Sequence, residues 1–534
     1  MALRSLGFVL SVGILVPCVS GSSFVACADD SFESTCEQIG DRIDIENVTV
    51  VTTEYVPAGG NISVADIPTV CGDNLASQVP VDLCRVYMNV STTDRSGIRL
   101  EAWFPRDYNG RFLSTGNGGL GGCISYSDIA YATKFGFASV GANNGHDGDT
   151  GQYFLGNSDV LEDYAYRSVH TGVVVGKQLT DLFYEQGFNK SYYLGCSTGG
   201  RQGLKSVQDY PDDFDGVIAG APAINLINLI SWGAYAAYLT GPPNSTTFLS
   251  TEEWLAVGQE VMRQCDGIDG VVDGIIEDPD LCRPVVETLL CNQTSTSDSL
   301  CLTSDQVETV NAIYTDWTVD DVLHYPRLNP GAELLASFVY FSGSMFQYPS
   351  DWYRYVVFND SDWDTTTWTP EDAKLALAQN PFNVQTFNGD LSAFKARGGK
   401  LLSYHGTSDG IISSDDSKLY YRHVAREMNL SPSDLDEFYR FFGISGLGHC
   451  SGGDGATYIG QSLQGYVDSV PENNLLLDIV DWVENGIAPE YLRGAKVADD
   501  GETVEYFRKH CRYPKRNRYV GPGEYTDEDA WQCV

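Results

Sequence analysis

Positive charge is what this 534-residue chain has least of. It carries 33 Lys and Arg against 72 Asp and Glu, a formal net charge of −39. A surface of that sign is repelled by nucleic acid and by anionic membranes, which excludes both as partners. The acidic residues are spread along the chain rather than gathered in a tail, so they read as a solvated surface. Histidine is scarce as well, with seven in all. A histidine-dependent chemistry therefore has few candidates. No internal repeat, heptad run or low-complexity tract is present, which argues against a solenoid, a coiled coil or a disordered linker. After the N-terminus no apolar run is long enough to cross a bilayer.

What is present begins with an N-terminal export pattern. Arg4 is followed by a short apolar run, Leu6 to Val16, and by small residues around Ser20 and Gly21. Residues 1–21 are expected to be a cleaved secretion signal rather than a membrane anchor. The cysteines agree: fourteen fit an oxidising compartment. Cys18 leaves with the signal, so thirteen remain and one is unpaired. Eight Asn-x-Ser/Thr sequons, at Asn47, Asn61, Asn89, Asn189, Asn244, Asn292, Asn359 and Asn429, fit a glycosylated extracellular protein.

From Arg85 to Pro222 strand and helix signals alternate. Strands are expected at Arg85–Val90, Ile98–Phe104, Arg111–Thr115, Phe137–Gly141, Ser191–Leu194 and Gly216–Gly220. A long helix is expected over Val160–Gln186 and a shorter one over Arg201–Tyr210. The rhythm returns with a strand at Lys400–Tyr404, a helix at Ser417–Met428, a strand at Glu437–Phe442 and a helix at Leu475–Glu484. This is an α/β pattern, a mainly parallel sheet flanked by helices. Between the two stretches it fails, and Pro, Trp and Tyr clusters take over. Residues 22–222 and 392–534 are thus expected to form one catalytic domain, and 223–391 a domain inserted over the strand ends as a lid.

Gly195-Cys196-Ser197-Thr198-Gly199 fits the nucleophile elbow of α/β-hydrolases. In a chain with 55 glycines the pattern alone is weak, and Gly406-Thr407-Ser408-Asp409-Gly410 also matches it. Context favours Ser197, which follows the apolar Tyr192-Tyr193-Leu194 and precedes a helix; Ser408 lacks an immediate helix. The order Ser197, Asp409, His449 is that of the α/β-hydrolase triad. A serine hydroxyl needs a base to become a nucleophile. His449 would be that base and Asp409 the carboxylate orienting it. His405 and His146 are weaker rivals for the base; Asp415, Asp416 and Asp454 are rivals for the acid. The oxyanion donors expected are the backbone N–H of Thr198 and one from the glycine run Gly118-Gly119, with Gly119 the candidate and a plain turn the alternative.

Ser197 and His449 each adjoin a cysteine. If the two meet in a site, Cys196 and Cys450 are brought close as well, and a disulfide would fix nucleophile against base. Cys265 and Cys282 bracket a loop holding Asp266, Asp269, Asp273, Glu277, Asp278 and Asp280. Such crowding fits a calcium ion or a solvated turn pinned by a disulfide, and the spacing is not that of an EF-hand. Cys291–Cys301 and Cys511–Cys533 are expected as local pairs.

Taken together, Gly195-Cys196-Ser197-Thr198-Gly199-Gly200-Arg201, Asp409 and Gly448-His449-Cys450 resemble the tannase and feruloyl esterase family of fungal secreted hydrolases, most closely its feruloyl esterase B group, from about Cys36 to Val534. The resemblance implies a Ser197–Asp409–His449 triad, the Cys196–Cys450 bridge, Cys36–Cys84 and Cys71–Cys123, with Cys27 as the odd thiol. It implies a structural calcium held by Asp266, Asp269, Asp273 and the carbonyls of Val271 and Ile275. It also implies a lid forming much of the substrate pocket, where Trp352, Tyr353, Tyr355, Phe358 and Trp363 either contact an aromatic acid or pack the lid core. The expected activity is a secreted serine esterase cleaving feruloyl, p-coumaroyl or caffeoyl esters of plant cell-wall polysaccharides through an acyl-enzyme. A tannase cleaving galloyl esters is the first alternative, and a non-catalytic wall-binding protein on the same fold the second.

Overall fold

A computed structural model of the chain describes residues 30–74, 78–291, 300–462, 473–501 and 503–534. The expected secretion signal 1–21, Cys18, Cys27 and the sequon at Asn292 lie outside the described residues.

The molecule is organised on a nine-stranded sheet. Its strands are β1 (Val48–Val56), β2 (Leu83–Ser91), β3 (Gly97–Pro105), β4 (Arg111–Thr115), β5 (Ala138–Ala142), β6 (Lys190–Cys196), β7 (Gly216–Gly220), β8 (Lys400–Gly406) and β9 (Tyr439–Ile444), in the order β1-β2-β3-β5-β4-β6-β7-β8-β9. The first three strands pair antiparallel, and β3 pairs antiparallel with β5. From β5 to β9 every pairing is parallel. This is the mainly parallel sheet expected from the alternating pattern, in the α/β-hydrolase arrangement expected from the elbow motif.

The central strands are apolar at successive positions because both faces are covered. Side chains alternate across a strand. Phe112, Tyr193, Val217, Leu401 and Phe441 enter one core layer. Their neighbours Leu113, Tyr192, Ile218, Leu402 and Phe442 enter the other. The first layer is closed by the helices Ser168–Tyr184 and Ser414–Glu427, the second by Leu475–Asn485, which offers Leu476, Ile479 and Trp482.

Element positions follow the sequence expectation, with informative departures. The long helix expected over Val160–Gln186 is three joined segments, with a π-turn at Asp163–Arg167 between the α-helices Ser158–Glu162 and Ser168–Tyr184. The helix after the elbow starts at Thr198, directly behind Ser197, rather than at Arg201. The helix Asp30–Arg42, strand β1 and a C-terminal hairpin, Tyr491–Val497 with Val504–Cys511, are additional to the expected elements.

The segment 223–391 is largely helical, with helices including Leu226–Thr240, Thr251–Cys265, Ser304–Ile313, Glu333–Val339, Gln347–Trp352 and Pro370–Gln379. Ser250 with Glu253, Thr303 with Gln306 and Thr369 with Asp372 form capping boxes that start three of them. Its buried side chains belong to one cluster with Leu120, Phe154, Tyr164 and Ile412 of the sheet domain. The insert shares its core with the part it covers.

Candidate active site

Four loops at the C-terminal edge of the parallel strands build the site, the edge where open α/β sheets carry their chemistry. At the end of β6 the chain reverses at Ser197, whose backbone is held at φ 62° and ψ −125°, and the helix Thr198–Asp209 begins at the next residue. A left-handed φ at a serine is strained and needs support. The Ser197 N–H donates to the Gly220 carbonyl at 2.9 Å, and the Ser197 carbonyl accepts from Ala223 N–H at 3.0 Å. The flanking glycines are required by close approach. A Cβ on Gly195 would stand 2.7 Å from the Gly199 backbone, and one on Gly200 would collide with the Gly220 carbonyl.

The loop after β8 carries Asp409 and the loop after β9 carries His449. Ser408 N–H donates to the Leu447 carbonyl, Thr407 N–H to the Ile444 carbonyl and Gly446 N–H to the Thr407 hydroxyl, so the two loops are stitched together. Ser408, the second pattern match, is therefore part of this seam. Its flanking Gly406 and Gly410 make room for the backbones of the His449 loop and of Ala336.

The structure brings the three expected residues into one line. His449 Nε2 lies 2.9 Å from Ser197 Oγ, and His449 Nδ1 lies 2.7 Å from Asp409 Oδ2. Asp409 is fully buried, and its other oxygen accepts the N–H groups of Ile411 at 2.8 Å and Ile412 at 3.0 Å. Burial pushes its carboxyl up, but the imidazoles of His449 and His405 outweigh that and hold it well below the usual carboxylate range. Of the rival acids, Asp415 pairs with Lys418 and Arg327, and Asp416 faces Asn225. Of the rival bases, His146 sits between the Leu120 and Asn144 carbonyls, and its ring contacts Tyr153 and Phe154. His405 is spanned between Asp409 Oδ2 and Ser417 Oγ.

Thr198 opens the helix behind the nucleophile, so its N–H has no intrahelical partner. The Thr198 hydroxyl donates to the Gly119 carbonyl at 2.7 Å, and Tyr164 OH donates to the same oxygen at 3.1 Å. The glycine loop thus lies directly against the helix N-terminus. A network pins it: Asn117 N–H donates to Gln202 Oε1, while Gln202 Nε2 donates to both Asn117 Oδ1 and Asn144 Oδ1. Arg201, fully buried and without a carboxylate partner among the described residues, donates to the Tyr164 and Ala165 carbonyls in the π-turn. The π-turn accordingly supplies both the Tyr164 hydroxyl at the glycine loop and acceptors for Arg201. Sequence reading assigned no role to Asn117, Tyr164, Arg201 or Gln202; Arg201, inside the Gly199-Gly200-Arg201 run, and Asn117, inside the glycine cluster Gly116-Asn117-Gly118-Gly119, left a local signal.

The insert is fastened to the same loops. Tyr348 OH donates to Asp149 Oδ2 at 2.8 Å, and a Cβ on Gly119 would strike the Tyr348 ring. Tyr340 OH donates to the Ile411 carbonyl, and Asn329 Oδ1 accepts from Ser413 and Ser414. Of the expected lid contacts, Trp352 and Tyr353 are fully buried in the lid core. The Trp352 ring joins the insert to Phe154 and Tyr164, and the Tyr353 ring packs against Phe358, Trp363 and Trp368 of the insert itself. Tyr355, Phe358 and Trp363 are half-buried around them.

Among the described residues six disulfides are formed. Cys196 and Cys450, 254 residues apart, are joined with their Cα atoms 6.1 Å from each other, immediately beside Ser197 and His449. The others are Cys36–Cys84, Cys71–Cys123, Cys265–Cys282, Cys291–Cys301 and Cys511–Cys533.

In the acidic loop Asp266 accepts the N–H groups of Asp273 and Gly274, both at 3.1 Å, and Asp269 Oδ1 accepts that of Val271. Asp269 Oδ2 and Asp273 Oδ1 are buried with no hydrogen-bond partner among the described residues. Burial pushes Asp269 up to about 6. Among the described residues no three His, Cys, Asp or Glu side chains converge into a ready-made metal cage. The two orphaned carboxylate oxygens nevertheless match the hard, oxygen-only donor set that a calcium ion takes.

A serine, a histidine and an aspartate in hydrogen-bond sequence on the loops of this sheet define a serine hydrolase of the α/β class. The chain belongs to the tannase and feruloyl esterase family, whose model matches residues 84–380 and 350–534. It is 58% identical over 506 residues to a probable feruloyl esterase B-1 of Aspergillus fumigatus, covering 94% of this chain and 96% of that one. It is 58% identical over 508 residues to a probable feruloyl esterase B of Aspergillus niger, covering 95% and 97%. The crystal structure of feruloyl esterase B from Aspergillus oryzae matches with a TM-score of 0.92 at 57% identity, over 94% of this chain and 100% of that one. Tannin acyl hydrolase from Aspergillus niger shares the fold, with a TM-score of 0.74 at 22% identity over 94% of this chain and 95% of that one.

Proposed function

We propose that this protein is an extracellular serine esterase that releases hydroxycinnamic acids, such as ferulate, p-coumarate or caffeate, from esters with plant cell-wall sugars. The observation carrying the chemistry is the unbroken line Ser197 Oγ, His449 Nε2, His449 Nδ1, Asp409 Oδ2, with contacts of 2.9 and 2.7 Å. The acyl preference rests on the similarity to feruloyl esterases B across nearly the whole chain.

His449 takes the Ser197 proton as Oγ attacks the ester carbonyl. Asp409 holds the imidazole with Nδ1–H toward itself and balances the charge that forms. The N–H of Thr198 and one from the Gly119 loop receive the oxyanion. His449 then protonates the departing sugar alcohol, leaving an acyl-enzyme on Ser197. A water activated by the same imidazole releases the acid.

Export and glycosylation belong to the same reading. They are supported by the six disulfides and by the exposure of all seven sequon asparagines among the described residues. A calcium ion would be held by Asp266, Asp269, Asp273 and the carbonyls of Val271 and Ile275. It would neutralise crowded carboxylates and stiffen the loop without taking part in the chemistry.

Turnover of methyl ferulate against methyl gallate tests the substrate class. The expected result is a kcat/KM that favours ferulate, with Ser197→Ala inactive on both. A preference for gallate would reassign the chain as a tannase, and full activity in Ser197→Ala would overturn the triad.

A further inference from the structure

Of the buried histidines that the reaction scheme leaves unused, His405 touches the triad. His405 lies on β8, is fully buried, and places Nε2 3.1 Å from Asp409 Oδ2, the same oxygen that His449 Nδ1 contacts at 2.7 Å. His405 Nε2 also faces the Ile412 carbonyl at 3.0 Å, and Nδ1 lies 2.7 Å from Ser417 Oγ. Neither a carboxylate nor a carbonyl can donate, so the proton sits on Nε2. Ser417 can donate, so a neutral ring with a bare Nδ1 satisfies every partner. The Asp409 carboxylate then receives four donors: two backbone amides on one oxygen and two imidazoles on the other.

We infer that His405 is a positioning residue which, by sharing Asp409 Oδ2 with His449, draws charge away from the His449–Asp409 hydrogen bond and keeps the base in its free form at lower pH. The physical basis is competition for one acceptor. Negative charge engaged by His405 is less available to stabilise an imidazolium at His449. Ser417 holds the His405 ring in the plane this requires. The inference rests on the triad reading given above.

The other ionisable groups around Asp409 do not offer the same effect. Tyr340 and Tyr325, the latter ending the insert's short hairpin Trp317–Val319 with Val322–Tyr325, face Asp409, and burial holds both phenols far above their usual range, hence neutral. On the helix Ser414–Glu427, Asp415 and Lys418 neutralise each other with Arg327 and Asp280 nearby. Asp416 is pushed up to about 7 by burial, and it contacts Asn225 rather than Asp409.

The test is the pH profile of kcat/KM for His405→Gln and His405→Asn, measured beside wild type and Ser197→Ala. A glutamine amide reaches the Nε2 position and still donates; asparagine is too short. The acid limb in His405→Asn is expected to move upward by about half a pH unit or more, while His405→Gln stays near wild type. Ser417→Ala is expected to move the limb the same way by less, and it serves if His405→Asn does not fold. Asp416→Asn leaves the limb in place. Loss of activity in both His405 variants with the limb unmoved would overturn the inference and reduce His405 to packing. An active Ser197→Ala would instead overturn the triad on which it depends.

Discussion

At Asp416 burial decides the charge. The carboxyl is fully buried, has Asn225 as its side-chain partner and no cation in contact among the described residues, and burial pushes it up to about 7. Its folded value lies above the unfolded one, so the stability it contributes is full below the ordinary carboxylate range and is lost as pH rises through about 7. Thermal midpoints are therefore expected to fall between pH 5 and pH 8, and Asp416→Asn is expected to flatten that fall. General self-repulsion of a chain at −39 acts in the same direction, so the comparison of variant with wild type isolates the residue. An identical decline in both would place the effect elsewhere. The same residue scale shows what the sequence could disclose. Ser197, Asp409 and His449 were legible because motif and chain order are one-dimensional facts. Tyr164, Gln202 and Asn117 were not, because their roles arise from partners brought together across 45 to 85 residues. His405 was visible as a histidine near Asp409, but only packing places it on the carboxylate oxygen rather than at the nucleophile.

Among elements, the loops after β6 and β9 matter most, because the nucleophile and its base stand on them and a covalent bond joins them. The Cys196–Cys450 bridge spans 254 residues. In the chain-entropy picture closing a loop of that size stabilises the fold by roughly 5 kcal/mol, an upper figure where other bridges already shorten the chain. Its local effect is on register: Cys450 sits at φ 61° directly after His449, a conformation that needs a tether. Cys196→Ala with Cys450→Ala is expected to lose far more turnover than far-ultraviolet dichroism. Unchanged turnover would show that the stitched backbones of the two loops suffice. Strands and helices of the sheet were legible because both periods are strong there. The helices of the insert were less so: Leu226–Thr240 is buried nearly all round and shows no polar face, whereas Thr251–Cys265 buries Trp254, Val257, Val261 and Cys265 at helical spacing and could have been read. The π-turn was hidden inside an otherwise regular helical pattern, since nothing local distinguishes one extra residue in a turn.

For the whole molecule, the insert, the sheet domain and the C-terminal hairpin meet around the acidic loop. Arg508 from the hairpin pairs with Asp273 and Glu277, and stacks on Trp531. One cation cannot serve every carboxylate in that loop, and Asp269 Oδ2 and Asp273 Oδ1 are left without partners among the described residues. Calcium bound there would stabilise the native state by mass action, about 2.7 kcal/mol at a free concentration one hundred times Kd. Chelation is accordingly expected to lower the thermal midpoint by several degrees, with recovery on adding calcium but not magnesium. A midpoint indifferent to chelator and to added calcium would leave the loop as a solvated turn pinned by Cys265–Cys282.

The account stands on a covalent intermediate at one hydroxyl, and trapping it is the most direct measurement. Enzyme acid-quenched during turnover of a feruloyl ester and digested should yield the peptide containing Ser197 carrying the feruloyl group, with no such adduct in Ser197→Ala. An adduct on another residue, or undiminished turnover in Ser197→Ala, would contradict it.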